Sequence, residues 1–117
     1  MHELALMAEL QQLAEEQARQ AGARRIHRLQ VRVGALAGVD ADALRLAFEV
    51  LVANGSPEGP WPSATLDLEA VPARCFCADC GQPFTPIDVI HACPRCGHLS
   101  RQVLSGRELE LVRLEVS

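Results

Sequence analysis

Two turns of the form C-x-x-C-G, Cys77-Ala78-Asp79-Cys80-Gly81 and Cys93-Pro94-Arg95-Cys96-Gly97, stand twelve residues apart in a chain of 117. A two-residue spacer lets both sulfurs of one turn reach the same ion. A following glycine permits the open backbone in which amides face the thiolates. Two such turns supply the tetrahedral four-thiolate shell that zinc prefers. Disulfides or unrelated core cysteines are the competing readings, and both are poor for this double spacing in a reducing compartment. The stretch 75–98 also holds few large apolar residues and cannot bury enough surface to fold alone. A structural zinc contributes an apparent ~10–16 kcal/mol and makes up that deficit. A closed four-thiolate shell has no open position for water or substrate, so the site reads as structural or regulatory, not as a hydrolytic centre. Iron in a rubredoxin-like centre is the rival metal; the short spacer and the lack of Tyr and Trp nearby favour zinc. Cys75 would give an alternative register with Cys80 at a worse spacing, and it reads as a spare thiol.

The rest of the chain has the composition of a folded domain, with 49% hydrophobic and 22% charged residues. Aromatics are scarce, so Leu, Val, Ile and Ala must build the core. Residues 3–21 carry Leu4, Met7, Ala8, Leu10, Ala14, Ala18 and Ala21 near a helical period, with Gly22 placed to end the helix. Residues 26–34 alternate, with Leu29, Val31 and Val33 on one side and Arg28, Gln30 and Arg32 on the other, as a half-buried strand does. Asp40 or Asp42 can cap a second helix over 41–54, and Asn54-Gly55 stops it. Residues 56–62 are a loop by composition, and 64–71 alternate again. Alternation returns at 107–116 and changes phase at Leu111-Val112, which predicts a bulge or a strand buried on both faces.

The order helix, strand, helix, strand, cysteine segment, strand predicts an α+β fold. Two helices pack on a small three-stranded mixed sheet, and a four-cysteine zinc module of short strands and loops is inserted into it. The first two strands should be parallel. The expected division is a domain of residues 1–72, completed by a C-terminal strand in 105–117, with 73–104 as the inserted module.

The formal net charge of −4 argues against a dedicated nucleic-acid binder. The basic run Arg24, Arg25, His27, Arg28 and Arg32 reads as a solvated strand edge. No signal-peptide pattern or membrane-length apolar stretch is visible, so a cytoplasmic address is expected. No Ser/His/Asp, Cys/His or open-metal constellation suggests an enzyme. A zinc-ribbon regulatory or nucleic-acid-binding adaptor is the alternative class, but residues 75–98 carry Arg95 as their single formal cation.

Met1-His2-Glu3 opens the chain. A bulky penultimate His leaves the initiator Met in place. The terminal amine, the next amide nitrogen and the His2 imidazole can then close adjacent chelate rings, and the Glu3 amide can add a further nitrogen. An all-nitrogen, nearly planar set suits Ni(II) or Cu(II) better than zinc.

Met1-His2-Glu3, the Val33-Gly34 strand end, Asp40 leading into the Ala47-Phe48 helix, the two cysteine turns and the Leu109–Val116 tail together resemble the hydrogenase maturation nickel metallochaperones, the HypA/HybF family. The resemblance spans essentially the whole chain. It implies a nickel site anchored by His2 with neighbouring backbone nitrogens, and places Glu3 and Asp40 near it. It implies transient Ni(2+) cargo beside a structural Zn(2+). It also implies delivery to the [NiFe] hydrogenase large subunit precursor in concert with a nickel-handling GTPase, with urease a further client of some members. His91 and His98 flank the second cysteine turn and read as solvated loop residues; a labile nickel ligand at His98 is the sharper idea.

Overall fold

The computed structural model describes residues 2–87 and 90–117. Its elements in chain order are α1 (Glu3–Gln20), β1 (Ile26–Gly34), α2 (Ala41–Ala53), β2 (Thr65–Val71), β3 (Arg74–Cys77), β4 (Gln82–Phe84), β5 (Gln102–Ser105) and β6 (Leu109–Val116). One three-stranded sheet has the order β2-β1-β6 and the other β4-β3-β5. In the first, β1 runs parallel to β2 and antiparallel to β6, so the sheet is mixed as expected. Among the described residues no helix is long and apolar enough to cross a membrane.

Helix α1 buries Glu3, Met7, Leu10, Gln11, Ala14 and Ala18. This face is turned slightly from the one read from sequence: Leu4 is exposed and Glu3 takes the inner position. The helix closes in a Schellman arrangement, with Gly22 N–H donating to the Arg19 carbonyl and Ala23 N–H to that of Ala18. Helix α2 starts at Asp40, whose carboxylate accepts the N–H groups of Asp42 and Ala43 at 2.9 and 3.2 Å. Its buried Leu44, Ala47 and Phe48 meet the inward residues of β1, which are Ile26, Leu29, Val31 and Val33.

Ile26 and Leu29 both face the core although they lie three positions apart. A register shift opposite β6 leaves His27 as an extra residue and resets the alternation. The same device explains Leu111 and Leu114 on β6. Gln30 pairs with Arg113 and Val31 with Leu111, so Val112 is the bulge that the phase change predicted.

The basic run is only partly a solvated edge: Arg24, Arg25 and His27 are exposed, whereas Arg28 and Arg32 are half-buried. β1 is the central strand, and Arg28 is paired by Asp67 on one neighbour and Glu115 on the other. Arg32 is flanked in the same way by Glu69 at 3.4 Å and Glu110 at 3.5 Å. Parallel register with β2 and antiparallel register with β6 set a carboxylate on each side of each guanidinium.

The loop that composition predicted at 56–62 ends in a buried anchor. Trp61 packs edge-on against Phe48 with ring centroids 6.0 Å apart, and its Nε1 donates to Glu15 Oε2 at 2.7 Å. The loop thereby closes the far end of the helix pair.

The molecule measures 57 × 27 × 16 Å with a radius of gyration of 17.7 Å, against about 13 Å for a compact chain of this length. The elongation comes from the second sheet, which has its own small core of Cys75, Cys77, Phe84 and Cys93. Residues 71–74 and 105–108 join the two sheets. At this neck Gly34 N–H donates to the Glu108 carbonyl at 2.7 Å and Leu36 N–H to that of Gly106 at 2.6 Å. A Cβ on Gly34 would lie 2.0 Å from the Gly106 carbonyl oxygen, so the approach of the two backbones requires glycine.

Candidate metal centre

The cysteine turns fold on the second sheet. Cys77 ends β3, and the chain reverses through Ala78–Gly81 into β4. In each turn the glycine N–H donates to the carbonyl of the first cysteine, Gly81 to Cys77 and Gly97 to Cys93, both at 2.8 Å. Gly81 and Gly97 have φ of 68° and 78°, the left-handed conformation that spares glycine a Cβ clash. Cys80 N–H points at Cys77 Sγ from 3.4 Å. Cys93 N–H donates to the His98 carbonyl at 2.9 Å and closes the second turn on itself.

These turns bring together all four cysteines selected from sequence. Cys77, Cys80, Cys93 and Cys96 place their sulfurs within 4.8 Å of one another. Cys77 Sγ lies 3.5 Å from Cys96 Sγ, and Cys80 Sγ 4.0 Å from Cys93 Sγ. A tetrahedral zinc with Zn–S bonds of ≈ 2.3 Å has S···S edges of about 3.8 Å. The donor set therefore fits a tetrahedral four-thiolate ion. Cys75 stands apart in the core of the second sheet, paired with Phe84 on one side and Val103 on the other.

The thiols share their protons unequally. Burial opposes the Cys93 thiolate, but the main-chain N–H groups of Cys96 and Arg95 and the neighbouring thiols outweigh it and bring its pKa down to about 6. At Cys96 the His98 main-chain N–H favours the thiolate, yet loss of hydration and three adjacent sulfurs push the pKa up to about 12. The neighbouring sulfurs thus oppose ionisation of Cys96. A divalent cation at the centre reverses that repulsion, because coordination deprotonates a thiol outright. Burial is graded: Cys77 and Cys93 are enclosed, Cys80 is partly covered and Cys96 is exposed.

His98 reaches this exposed edge. Its Nδ1 lies 3.4 Å from Cys96 Sγ and 3.2 Å from Asp79 Oδ2. Asp79 carried no role in the sequence reading; its place in the spacer of the first turn is the signal that could have found it.

The other selected residues gather at the start of α1. Met1 lies outside the described residues. His2 is the exposed N-cap of α1, and its carbonyl accepts Leu6 N–H at 2.8 Å. Glu3, read from sequence as polar, is buried, and its Oε2 accepts Asp40 N–H at 3.1 Å. One carboxylate thus ties the first turn of α1 to the cap of α2, and brings His2-Glu3 and Asp40 to one end of the helix pair.

Fold and site together define a small metal-handling protein, in which a helix-covered mixed sheet carries a four-cysteine metal site on a second sheet. The family profile described as hydrogenase/urease nickel incorporation, metallochaperone, hypA matches residues 1–116. The hydrogenase maturation factor HypA of Picosynechococcus sp. is 43% identical over 116 residues, covering 99% of each chain. That of Chloroflexus aurantiacus is 43% identical, covering 98% of each. The solution structure of the Ni metallochaperone HypA from Helicobacter pylori superposes with a TM-score of 0.67 at 28% identity, covering 99% of this chain and 97% of that one. The chain belongs to the HypA family of nickel-incorporation metallochaperones.

Proposed function

We propose that this chain captures Ni(II) at its N-terminus, holds a structural zinc on Cys77, Cys80, Cys93 and Cys96, and passes the nickel to the large subunit precursor of a [NiFe] hydrogenase. A nickel-handling GTPase acts with it, and urease is a second possible client. The observation that carries the reading is the placement of His2. It is exposed at the N-cap of α1, where the first N–H groups of a helix have no intrahelical acceptor. The His2 and Glu3 amide nitrogens therefore lie outside the helix ladder and can ligate without unwinding it. Glu3 and Asp40 bring carboxylates to the same end. Zinc cross-links the two cysteine turns and so stabilises a segment with little core of its own.

The division of labour follows the two sheets: residues 1–72 with 105–117 handle nickel, and 73–104 form the inserted zinc module. The role is binding, not catalysis. The family description, nickel incorporation by a metallochaperone, supports that reading. A cytoplasmic, reducing compartment keeps the five thiols available. The net charge of −4 and the ion-paired arginines of β1 speak against a nucleic-acid partner.

Nickel titration by calorimetry tests the reading on three proteins: the untagged chain, His2→Ala, and an N-terminally extended form. Tight binding to the untagged chain alone is expected, with one zinc retained in all three. Equal affinity across the three overturns the N-terminal site.

A further inference from the structure

We propose that Asp79, Cys96 and His98 form a second, exchangeable site for a late first-row divalent metal ion on the rim of the cysteine cluster, with Cys96 Sγ shared between the two ions. This site rests on the zinc reading of the tetrad, because the shared sulfur is a ligand of the inner ion.

The donor atoms already stand at coordination spacing. His98 Nδ1 is 3.2 Å from Asp79 Oδ2 and 3.4 Å from Cys96 Sγ, and all three donors lie within 4.8 Å of one another. Tetrahedral bonds of about 2.05 Å to nitrogen, 2.1 Å to oxygen and 2.3 Å to sulfur give donor–donor edges of roughly 3.4–3.6 Å. The two edges that meet at His98 Nδ1 match such a face, and the third donor pair lies within 4.8 Å. An exposed His–carboxylate contact by itself contributes little and does not recruit a sulfur.

The backbone builds this face from both turns. Asp79 sits in the spacer of the first. Gly97, at φ 78°, folds the second back, and the hydrogen bond from Cys93 N–H to the His98 carbonyl holds the return. The imidazole is set over Cys96, the exposed member of the tetrad, and away from the enclosed Cys77 and Cys93.

Charge favours a cation there. Four thiolates around a divalent ion carry a net −2, and Asp79 adds another negative charge. Arg95, in the spacer of the second turn, and Arg101, which lines a pocket with Asp79, offset part of this charge and leave it net negative. A mixed nitrogen, oxygen and sulfur set selects Co(II), Ni(II) or Zn(II) over magnesium and calcium, which take oxygen alone. The side chains of His98 and Asp79 are 67% and 61% exposed. The fourth position therefore opens to solvent, and a metal held there can leave for an incoming ligand.

The test uses the full-length, zinc-loaded chain carrying His2→Ala, which silences the N-terminal site. Cobalt(II) is titrated at one neutral pH while thiolate-to-cobalt charge-transfer absorption and zinc content are read on the same samples. One cobalt per chain is expected, with charge-transfer absorption and the zinc retained. His98→Ala and Asp79→Asn, each added to that background, should weaken cobalt binding by about tenfold or more and leave zinc at one per chain. Absence of charge-transfer absorption while zinc is retained overturns the rim site, as does unchanged affinity in His98→Ala. Cobalt gained one-for-one against zinc lost also overturns the rim site but upholds the tetrad. A purified chain without zinc, whose folding is indifferent to Cys77→Ser, overturns the tetrad reading itself.

Discussion

Glu3 joins the first turn of α1 to the cap of α2, and its removal should be felt in both stability and nickel affinity. In Glu3→Ala the Asp40 N–H loses a charge-assisted acceptor at 3.1 Å. Asp40 is itself exposed, so water can replace the lost partner, and the net loss of a hydrogen bond to a charged group is about 1.5–3 kcal/mol. Glu3 is only 7% exposed, so deleting its one methylene beyond Cβ forfeits a further ~0.8 kcal/mol. Loss of a carboxylate from the first turn of a helix removes ~0.3–1 kcal/mol, and the better helix propensity of Ala returns a few tenths. The expected destabilisation is about 2–4 kcal/mol. Glu3→Gln keeps an oxygen acceptor and the shape, so it should lose about 1 kcal/mol. Urea unfolding followed by the fluorescence of Trp61, which packs against Phe48 on α2, reads both values in zinc-loaded protein. Nickel titration of the same variants should show weaker binding in Glu3→Ala with site occupancy retained, because the backbone nitrogens and His2 remain. An unfolding midpoint for Glu3→Ala equal to that of the parent would refute the buried link.

Three further outcomes follow from the same contacts. Gly34→Ala drives a Cβ to within 2.0 Å of the Gly106 carbonyl oxygen; overpacking and the loss of neck hydrogen bonds should cost about 3–5 kcal/mol, read as a lower urea midpoint. Trp61→Phe leaves Glu15 without its 2.7 Å donor but keeps most of the ring packing, so it should lose about 1–2 kcal/mol by thermal unfolding. Zinc analysis should find one ion lost in Cys93→Ala and retained in Cys75→Ala, since Cys75 lies in the small core outside the tetrad.

Much of this fold is legible in the sequence because local rules decide it. The helices end where the glycine and the capping aspartate place them, and the bulge at Val112 is visible as a break in parity. The companion bulge at His27 is written in the same way, as Ile26 and Leu29 three residues apart, but one apolar residue ahead of a clean alternation is easily assigned to the preceding loop. The cysteine turns are legible because their chemistry fixes their spacing. What the sequence hides is set by distant partners. Whether Arg28 faces water or two carboxylates depends on β1 being central, which is decided by where β6 returns. Glu3 looks like a solvated terminal residue until Asp40, thirty-seven positions on, offers it an N–H. Trp61 sits among prolines and glycines, and only Glu15 and Phe48, from two separate helices, reveal why an indole is there.

Under the proposed function the two metal chemistries make opposite demands, and the architecture offers them different places. A structural thiolate site needs enclosure and closed coordination, and the buried Cys77 and Cys93 within a small sheet supply it. A cargo site must release what it binds, which calls for exposed ligands and no core that forms only around the metal. His2 satisfies this, since it is an exposed cap on a helix whose packing begins one residue later at Glu3. The neck then determines whether the two chemistries can communicate. It carries backbone hydrogen bonds from the end of β1 to Gly106 and Glu108, and the turn after β1 leads directly to Asp40 and its link with Glu3. Under that function, a displacement at the cysteine module that strained the Gly34–Gly106 approach would be carried to the Glu3–Asp40 link through one short loop, without crossing the core of the helix-covered sheet.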